Sequence, residues 1–357
     1  MRHAVVGVVR AAAAATALVR LTRAAQRHPP VAVATHPVPA ISVVVPARDE
    51  AGRIGPLLAA VVGAPGVREV VVVDDESSDA TAAIARRAGA TVVTGRRLPP
   101  GWAGKAWALQ QGVEIANGSW VVVLDADTRP DPALPAAVVA RAMADGLDLI
   151  SVAGRFECPR APLRWLHPAM LTTLLYRAAP PGARRSGPVG QRVANGQCMA
   201  ARRSVLVGSD AITAVGHHTV EDVALARGLA TAGFAVDFLD ATDLLRVRMY
   251  ESAGEAWRGW GRSLSLPGVD PVARRVLDLG VLALAQAVPL LRLLLRRADV
   301  IDVVLLAARA GTLLGTARAY DQRGPAYWCS PLADPLAVVA IARGLVFRRQ
   351  RWRGRAY

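Results

Sequence analysis

From residue 41 to about residue 240, short runs of β-branched residues alternate with stretches whose apolar positions recur at helical spacing. Residues 41–45, 70–73, 91–93, 120–124 and 149–152 read as strands. Their positions are almost all apolar, which predicts burial on both faces, as in parallel sheets covered by helices. Residues 52–63, 78–88, 105–117 and 132–145 read as the intervening helices, and a helix over 221–232 followed by a strand over 235–239 extends the series. This alternation predicts an α/β domain with a mostly parallel sheet over residues 40–250.

The flanks follow a different pattern. Residues 4–21 are apolar and alanine-rich but interrupted by Arg10 and Arg20, and no small-residue cleavage site follows, so residues 1–30 read as a membrane anchor or interfacial helix. Arg10 counts against a full crossing, since an arginine at mid-membrane costs at least about 2.5 kcal/mol. Residues 159–192 are rich in Pro, Gly and Arg, show no clear period, and read as a loop or a segment lying against lipid. Beyond an interfacial segment at 251–270 come apolar runs at 276–295, 300–317 and 331–347, close to the roughly 20 residues that cross a bilayer. Arg292, Arg309, Asp299 and Asp302 interrupt or flank them. Residues 276–347 therefore read as transmembrane or membrane-associated helices, the competing reading being buried helices of a soluble second domain. The basic tail at 348–357 belongs on the cytoplasmic side. Three full C-terminal crossings would put it opposite the catalytic domain, so at least one run does not cross. The expected location is the cell membrane, multi-pass, with the α/β domain facing the cytoplasm.

Composition supports the membrane reading. The chain of 357 residues is 53% hydrophobic yet carries a net charge of +15, with 43 basic and 28 acidic residues. Apolar segments flanked by arginine suit an anionic membrane face. Nucleic acid is the competing partner for a chain of pI about 11.2. With only 5% aromatic residues and no helix-turn-helix or RNP pattern, no nucleic-acid partner is expected. Cys158, Cys198 and Cys329 show neither metal-ligand spacing nor a disulfide framework.

Candidate chemistry gathers where strands end and helices begin, the edge at which open α/β sheets bind ligands. Asp74 and Asp75 close a strand, where paired carboxylates can hydrogen-bond a nucleobase and ribose hydroxyls. Capping of the next helix by Ser77, Ser78 or Asp79 explains the serines but not the paired acids. Asp125-Ala126-Asp127 closes another strand, and two aspartates at i and i+2 offer hard oxygen ligands for Mg²⁺ or Mn²⁺ bridging a diphosphate; aspartate is also common in plain turns. Gly104 and Lys105 open a helix after a Pro/Gly turn, which suits a phosphate but also describes a turn with a solvated lysine. Thr219-Val-Glu221-Asp222 opens the helix before the last strand. Asp222 there is a candidate general base tuned by Glu221 or by His217 and His218, and a capping box is the alternative. Trp257 and Trp260, interleaved with Arg258 and Arg262, suit the headgroup level of a membrane or closure over a diphosphate.

The order of these features, Pro46-Ala-Arg-Asp49-Glu50, Asp74-Asp75, Gly104-Lys105, Asp125-x-Asp127, Glu221-Asp222 and the Trp/Arg segment, resembles a family 2 glycosyltransferase of GT-A fold over roughly residues 41–264. Gly101-Trp-x-Gly-Lys105 with Trp107, and the closing Trp352-Arg-Gly-Arg355-Ala-Tyr357, are similar to bacterial membrane enzymes of hopanoid and carotenoid glycosylation. The resemblance implies a Rossmann-like GT-A catalytic domain and a metal-dependent, inverting transfer from a nucleotide-sugar donor, a UDP-sugar, to a polyprenoid, carotenoid or hopanoid lipid acceptor. It implies that Asp49, Glu50, Asp74 and Asp75 contact the nucleoside and Lys105 the diphosphate. Asp127 would hold the metal, Asp125 would serve both nucleotide and metal, and Asp222 would be the base. Asn195, Gly196 and Gln197 fall where the family has a donor-sugar or acceptor loop. Two positions depart from the family. Its usual Asn before the first acid is Asp49 here, and the Gln-x-x-Arg-Trp signature of processive polysaccharide synthases is replaced by Arg258-Gly-Trp260-Gly-Arg262, which favours single transfer over polymerisation. A nucleotidyltransferase is the other enzyme class with such a domain, but it usually carries an early Gly-rich phosphate loop that 45–48 lacks.

Overall fold

The structure, a computed structural model, describes residues 2–23, 26–178, 180–183, 188–346, 351–352 and 355–356. The chain forms two compact units, one of His28–Arg155, Gly187–Met249 and Arg349–Tyr357, the other of Met1–Arg27, Phe156–Ser186 and Tyr250–Arg348.

The first unit is α/β, as its alternating pattern requires. A seven-stranded sheet runs in the order Thr91–Thr94, Val67–Asp74, Ile41–Ala47, Trp120–Leu124, Cys198–Arg202, Leu149–Ala153, Val236–Asp240. The first four are parallel neighbours, and Leu149–Ala153 is parallel to Val236–Asp240. Every residue of Ile41–Ala47 and Trp120–Leu124 is buried, which accounts for their unbroken apolar character. Cys198–Arg202 is the exception. It lies antiparallel between Trp120–Leu124 and Leu149–Ala153, with Leu124 opposite Cys198 and Ser151 opposite Met199. Because it runs the other way, it starts at the edge where its parallel neighbours end. The segment before it, including Asn195 to Gln197, therefore arrives at the carboxyl edge of the sheet.

Helix Gly104–Ile115, which carries Lys105 in its first turn, lies on Ile41–Ala47 and Val67–Asp74. Close approach is possible because Gly112 has no side chain: a Cβ there would fall well inside contact distance of Val44 Cγ1 and 3.2 Å from Val73 Cγ2. After the Asp125–Asp127 turn, Thr128–Pro130 pairs antiparallel with Leu245–Val247, and helix Ile54–Val61 packs against it.

The second unit is helical. Arg2–Thr22, Ala161–Leu175, Ala253–Ser263, Val272–Leu282, Val288–Leu294, Val300–Thr316 and Asp334–Val346 are its main helices, and a π-helical turn, Ala283–Ala287, joins Val272–Leu282 to Val288–Leu294. By length and composition, Ala4–Thr22, Val272–Leu294 and Val300–Ala319 could cross a membrane. The arginines that interrupt the apolar runs meet acids inside the unit. Arg10 is 2.6 Å from both Asp299 and Asp302, Arg292 is 2.8 Å from Asp302, and Arg309 is 2.8 Å from Asp334. Paired in this way, the charges do not have to face an apolar surround alone. Residues 159–192, which lack a clear period, contain the 15-residue helix Ala161–Leu175. Part of that stretch and most of the basic tail fall outside the described residues; within the tail, Arg351–Trp352 pairs antiparallel with Arg355–Ala356.

Alanine is a better helix former than glycine by roughly 0.5–1 kcal/mol, yet Gly112→Ala is expected to destabilise the protein. Val44 and Val73 are fully buried, and overpacking a core costs about 1–3 kcal/mol. A lowered thermal midpoint checks this, and a midpoint at or above that of the wild type would show that Val44 gives way.

Candidate functional site

The Asp125-Ala126-Asp127 turn is held by backbone bonds rather than by its carboxylates. The Asp125 N–H donates to the Gln197 carbonyl at 3.2 Å, and the Asp125 carbonyl accepts the Thr128 N–H at 3.1 Å and the Thr128 hydroxyl at 2.6 Å. The Arg248 N–H closes on the Asp127 carbonyl at 3.3 Å. With the chain fixed on both sides, the two side chains are left for other partners.

Asp125 finds its partner in Lys105. The ammonium lies 2.8 Å from Asp125 Oδ1 and 2.9 Å from Glu221 Oε1. Burial alone would lower the Lys105 pKa, but Asp125, Glu221 and Asp222 together raise it well above its usual value. The helix N-terminus that the sequence suggested for a phosphate therefore presents a lysine already bound between two carboxylates.

Asp222 stands beside this centre. Its Oδ2 accepts the Gly196 N–H at 2.7 Å and its Oδ1 the Val223 N–H at 2.8 Å. Burial and the neighbouring Glu221 push the Asp222 carboxyl up to about 6, against the opposing pull of Lys105 and these two N–H groups. The capping-box alternative is not realised: Val220 is the N-cap residue of helix Glu221–Thr231 and no side chain caps it. A Cβ at Gly196 would lie 2.8 Å from Lys105 Nζ and 3.4 Å from Asp222, so a side chain there would shift the Lys105 ammonium. Its neighbour Asn195 is tied down by Ser151, whose hydroxyl accepts the Asn195 N–H at 2.7 Å and is 3.0 Å from the Asn195 carbonyl. Asn195 and Gln197 also bond each other, side chain to side chain at 2.6 Å and Gln197 N–H to Asn195 Oδ1 at 3.0 Å.

Asp49 and Glu50 follow Ile41–Ala47, the parallel neighbour of Trp120–Leu124, and Asp74 and Asp75 lie at the end of Val67–Asp74, one strand further out. Asp49 has φ +52°, a left-handed conformation that Asn and Asp tolerate better than most residues. Its Oδ1 accepts the Ser78 N–H at 2.8 Å and hydroxyl at 3.0 Å, so it clasps the two strand ends together. Asp79 receives the Thr81 and Ala51 N–H groups and, so stabilised as an anion, is lowered in pKa despite its desolvation. Asp79 thus bonds the first N–H of helix Thr81–Arg87, though Ala80 is its N-cap residue and no side chain caps it; Asp74 and Asp75 stay out of these contacts. Both are buried. Asp74 Oδ1 has no hydrogen-bond partner, and the Asp75 carbonyl accepts from Arg48 at 2.6 Å.

Asp127 lies next to this acid-rich region. Burial first, then Asp125 and Glu50, push its carboxyl up to about 7, with Lys105 and Arg53 opposing, and its Oδ1 is buried without a hydrogen-bond partner. Crowded carboxylates with an unsatisfied oxygen fit a hard divalent cation. Among the described residues no three His, Cys, Asp or Glu side chains converge on one point, so protein side chains alone do not form a complete coordination shell.

The structure brings together Lys105, Asp125, Glu221, Asp222, Asn195, Gly196 and Gln197. Trp260 belongs to the other unit, where it packs 4.0 Å from His167 and 5.8 Å from Phe156, ring to ring. His217 and His218 stack on each other at 4.0 Å; burial and His217 lower the His218 pKa. Ser151 went unnoticed in the sequence because a serine within an apolar strand carries no motif, although a polar residue among buried ones was its signal.

Residues 42–207 match the profile of glycosyl transferase family 2. The 4,4'-diaponeurosporenoate glycosyltransferase of Staphylococcus aureus (strain MRSA252) is 40% identical over 89 residues, 25% of this chain and 24% of that protein. The chain thus spans about a quarter of the length of the curated relatives it matches. The fold is similar to that of a mannosyltransferase from Pyrobaculum calidifontis solved with GDP-Man and Mn²⁺, with a TM-score of 0.56 and 20% identity over 97% of this chain and 99% of that one. The glucosyl-3-phosphoglycerate synthase of Mycobacterium tuberculosis, solved with Mn²⁺, UDP and glucosyl-3-phosphoglycerate, aligns at a TM-score of 0.45 and 22% identity over 64% of this chain and 78% of that one.

The electrostatics of the site can be read directly. Asp222 is expected to titrate near 6 by carboxyl ¹³C shift, and Lys105→Met, which removes the cation favouring the carboxylate, is expected to move that value upward. An unmoved titration would mean that Lys105 and Asp222 are not coupled.

Proposed function

We propose that this protein, whose residues 42–207 match the profile of glycosyl transferase family 2, moves one sugar from a nucleotide diphosphate sugar, a UDP-sugar, to a membrane lipid of polyprenoid, carotenoid or hopanoid type. The transfer is inverting and uses Mg²⁺ or Mn²⁺. The observation that carries this reading is Asp222: a crowded carboxylate with its pKa raised to about 6, beside the Lys105–Asp125 ion pair at the carboxyl edge of the sheet. The Staphylococcus aureus relative supports a carotenoid-type acceptor, and the Pyrobaculum calidifontis mannosyltransferase supports a sugar nucleotide with Mn²⁺.

In the proposed mechanism the acceptor hydroxyl gives its proton to Asp222 as its oxygen attacks the anomeric carbon. The bond from that carbon to the diphosphate oxygen breaks, and its electron pair leaves on the nucleoside diphosphate. Asp127 and Asp125 would hold the cation, which neutralises charge developing on the diphosphate. Lys105 supplies a fixed positive charge beside it. Asp74 and Asp75 face the nucleoside, with Glu50, while Asp49 keeps the strand ends in register. Gly196 orients the base, and Asn195 and Gln197 shape the space for sugar or acceptor.

The helical unit supplies the membrane contact. Its three long apolar helices and exposed residues such as Val8, Leu277 and Val300 suit lipid, and a reducing cytoplasmic side suits Cys158, Cys198 and Cys329, all free thiols.

Two substitutions test the proposal in a detergent assay with Mn²⁺. Asp127→Ala is expected to abolish metal-stimulated transfer. Asp222→Asn is expected to slow transfer to a hydroxyl about 10²–10⁴-fold. Survival of transfer in both variants would sink the reading. The acceptor class shows in the size of the Asp222 effect, because a carboxyl acceptor, ionised above about pH 4, needs no base. In the wild type acting on a hydroxyl, kcat/KM is expected to fall as the pH drops below about 6, where Asp222 becomes protonated; an acid limb near 4 would contradict the assignment.

A further inference from the structure

In the helical unit, three arginines gather around two aspartates. Arg20 lies 2.9 Å from Asp278 and donates to the Tyr176 carbonyl at 3.1 Å. Arg274 is 3.9 Å from both Asp270 and Asp278. Arg177, only 6% exposed, is attracted by Asp278 and Asp270 and repelled by Arg20 and Arg274. Its Nε donates to the Thr173 carbonyl at 2.9 Å, while its Nη2 is buried with no hydrogen-bond partner. Burial lowers the Arg177 pKa to about 10, against the pull of Asp278 and Asp270.

The surroundings point to an anion. Among the described residues, Arg20, Arg177 and Arg274 face Asp270 and Asp278, more guanidinium than carboxylate. Helix Val272–Leu282 starts beside them, after Pro271, with no side chain capping its first N–H groups, and such a terminus favours negative charge. One turn on from Arg274, Leu277 is 66% exposed, and Val19, next to Arg20, is 61% exposed. A bare anion would gain nothing from these apolar side chains; an amphiphile would.

We propose that Arg20, Arg177 and Arg274 bind the phosphate of an anionic membrane lipid at the start of Val272–Leu282, its chains lying along Val19 and Leu277. One phosphodiester supplies negative charge to these guanidinium groups and gives the buried Arg177 donor an acceptor. This site is independent of the sugar-transfer reading, since none of its residues belongs to the α/β unit.

The test uses the full chain in detergent, titrated with dihexanoyl-phosphatidylglycerol, with dihexanoyl-phosphatidylcholine and with inorganic phosphate, and bound ligand is counted by native mass spectrometry. Phosphatidylglycerol is expected to bind saturably and more tightly than either of the others. Arg274→Gln, at a partly exposed position, is expected to weaken it about tenfold through loss of a charge-assisted contact. Asp270→Asn is expected to tighten it, a gain that no folding defect would produce. Arg86→Gln, the same change of charge in the α/β unit, should leave binding unchanged. Equal binding by Arg274→Gln, an equal loss in Arg86→Gln, or inorganic phosphate binding as tightly as the lipid would overturn the proposal.

Discussion

The Lys105 ammonium is the interaction on which the α/β unit's site depends. Asp125, Asp127, Glu221 and Asp222 come from a strand end and a helix start far apart in sequence, and all are acids. Like charges 4 Å apart repel by on the order of 4 kcal/mol at an effective dielectric constant of 20, so such a group assembles only with a cation or by taking up protons. Lys105 bridges Asp125 and Glu221 and so joins the strand-end turn to the helix that bears Asp222. A side chain at residue 196 would shift this ammonium, and the Gly196 N–H donates to the Asp222 carboxylate. The residual excess of acid shows at Asp127, whose raised pKa and unsatisfied oxygen are what a divalent cation would relieve.

The scaffold serves that interaction at two places. Gly112 lets the Lys105 helix lie directly on the two central parallel strands, and Cys198–Arg202 enters antiparallel so that Asn195 to Gln197 reach the edge occupied by Asp125. Parallel strands alone would bring only their own ends to that edge. The reversed strand adds a loop that begins there.

The legibility of these features in the sequence follows from their physics. Strands buried on both faces need β-branched apolar runs, so Ile41–Ala47, Val67–Asp74 and Trp120–Leu124 can be read within a few residues of their ends. Cys198–Arg202 is made of Cys, Met, Ala, Ala and Arg, which carry little β preference; its place in the sheet comes from its neighbours. Helix Ala161–Leu175 is buried at Leu166 through Met170 without interruption and contains Pro168, which erases the 3.6-residue period. Arg10 and Arg309 weigh against apolar helices when taken alone, because their partners, Asp299, Asp302 and Asp334, are identified only by the fold. The site acids were legible as types at strand ends. That Lys105 binds two of them rather than standing open for a phosphate was not, since an ion pair across 116 residues of chain leaves no local pattern.

The central claim is that this site transfers sugar to lipid. The most direct measurement incubates the purified protein with Mn²⁺, a total lipid extract and a panel of labelled nucleotide sugars, and follows label and nucleotide together. The account predicts label in a lipid and an equal amount of nucleoside diphosphate in the water phase. Release of pyrophosphate, or no consumption of any sugar nucleotide, would contradict it.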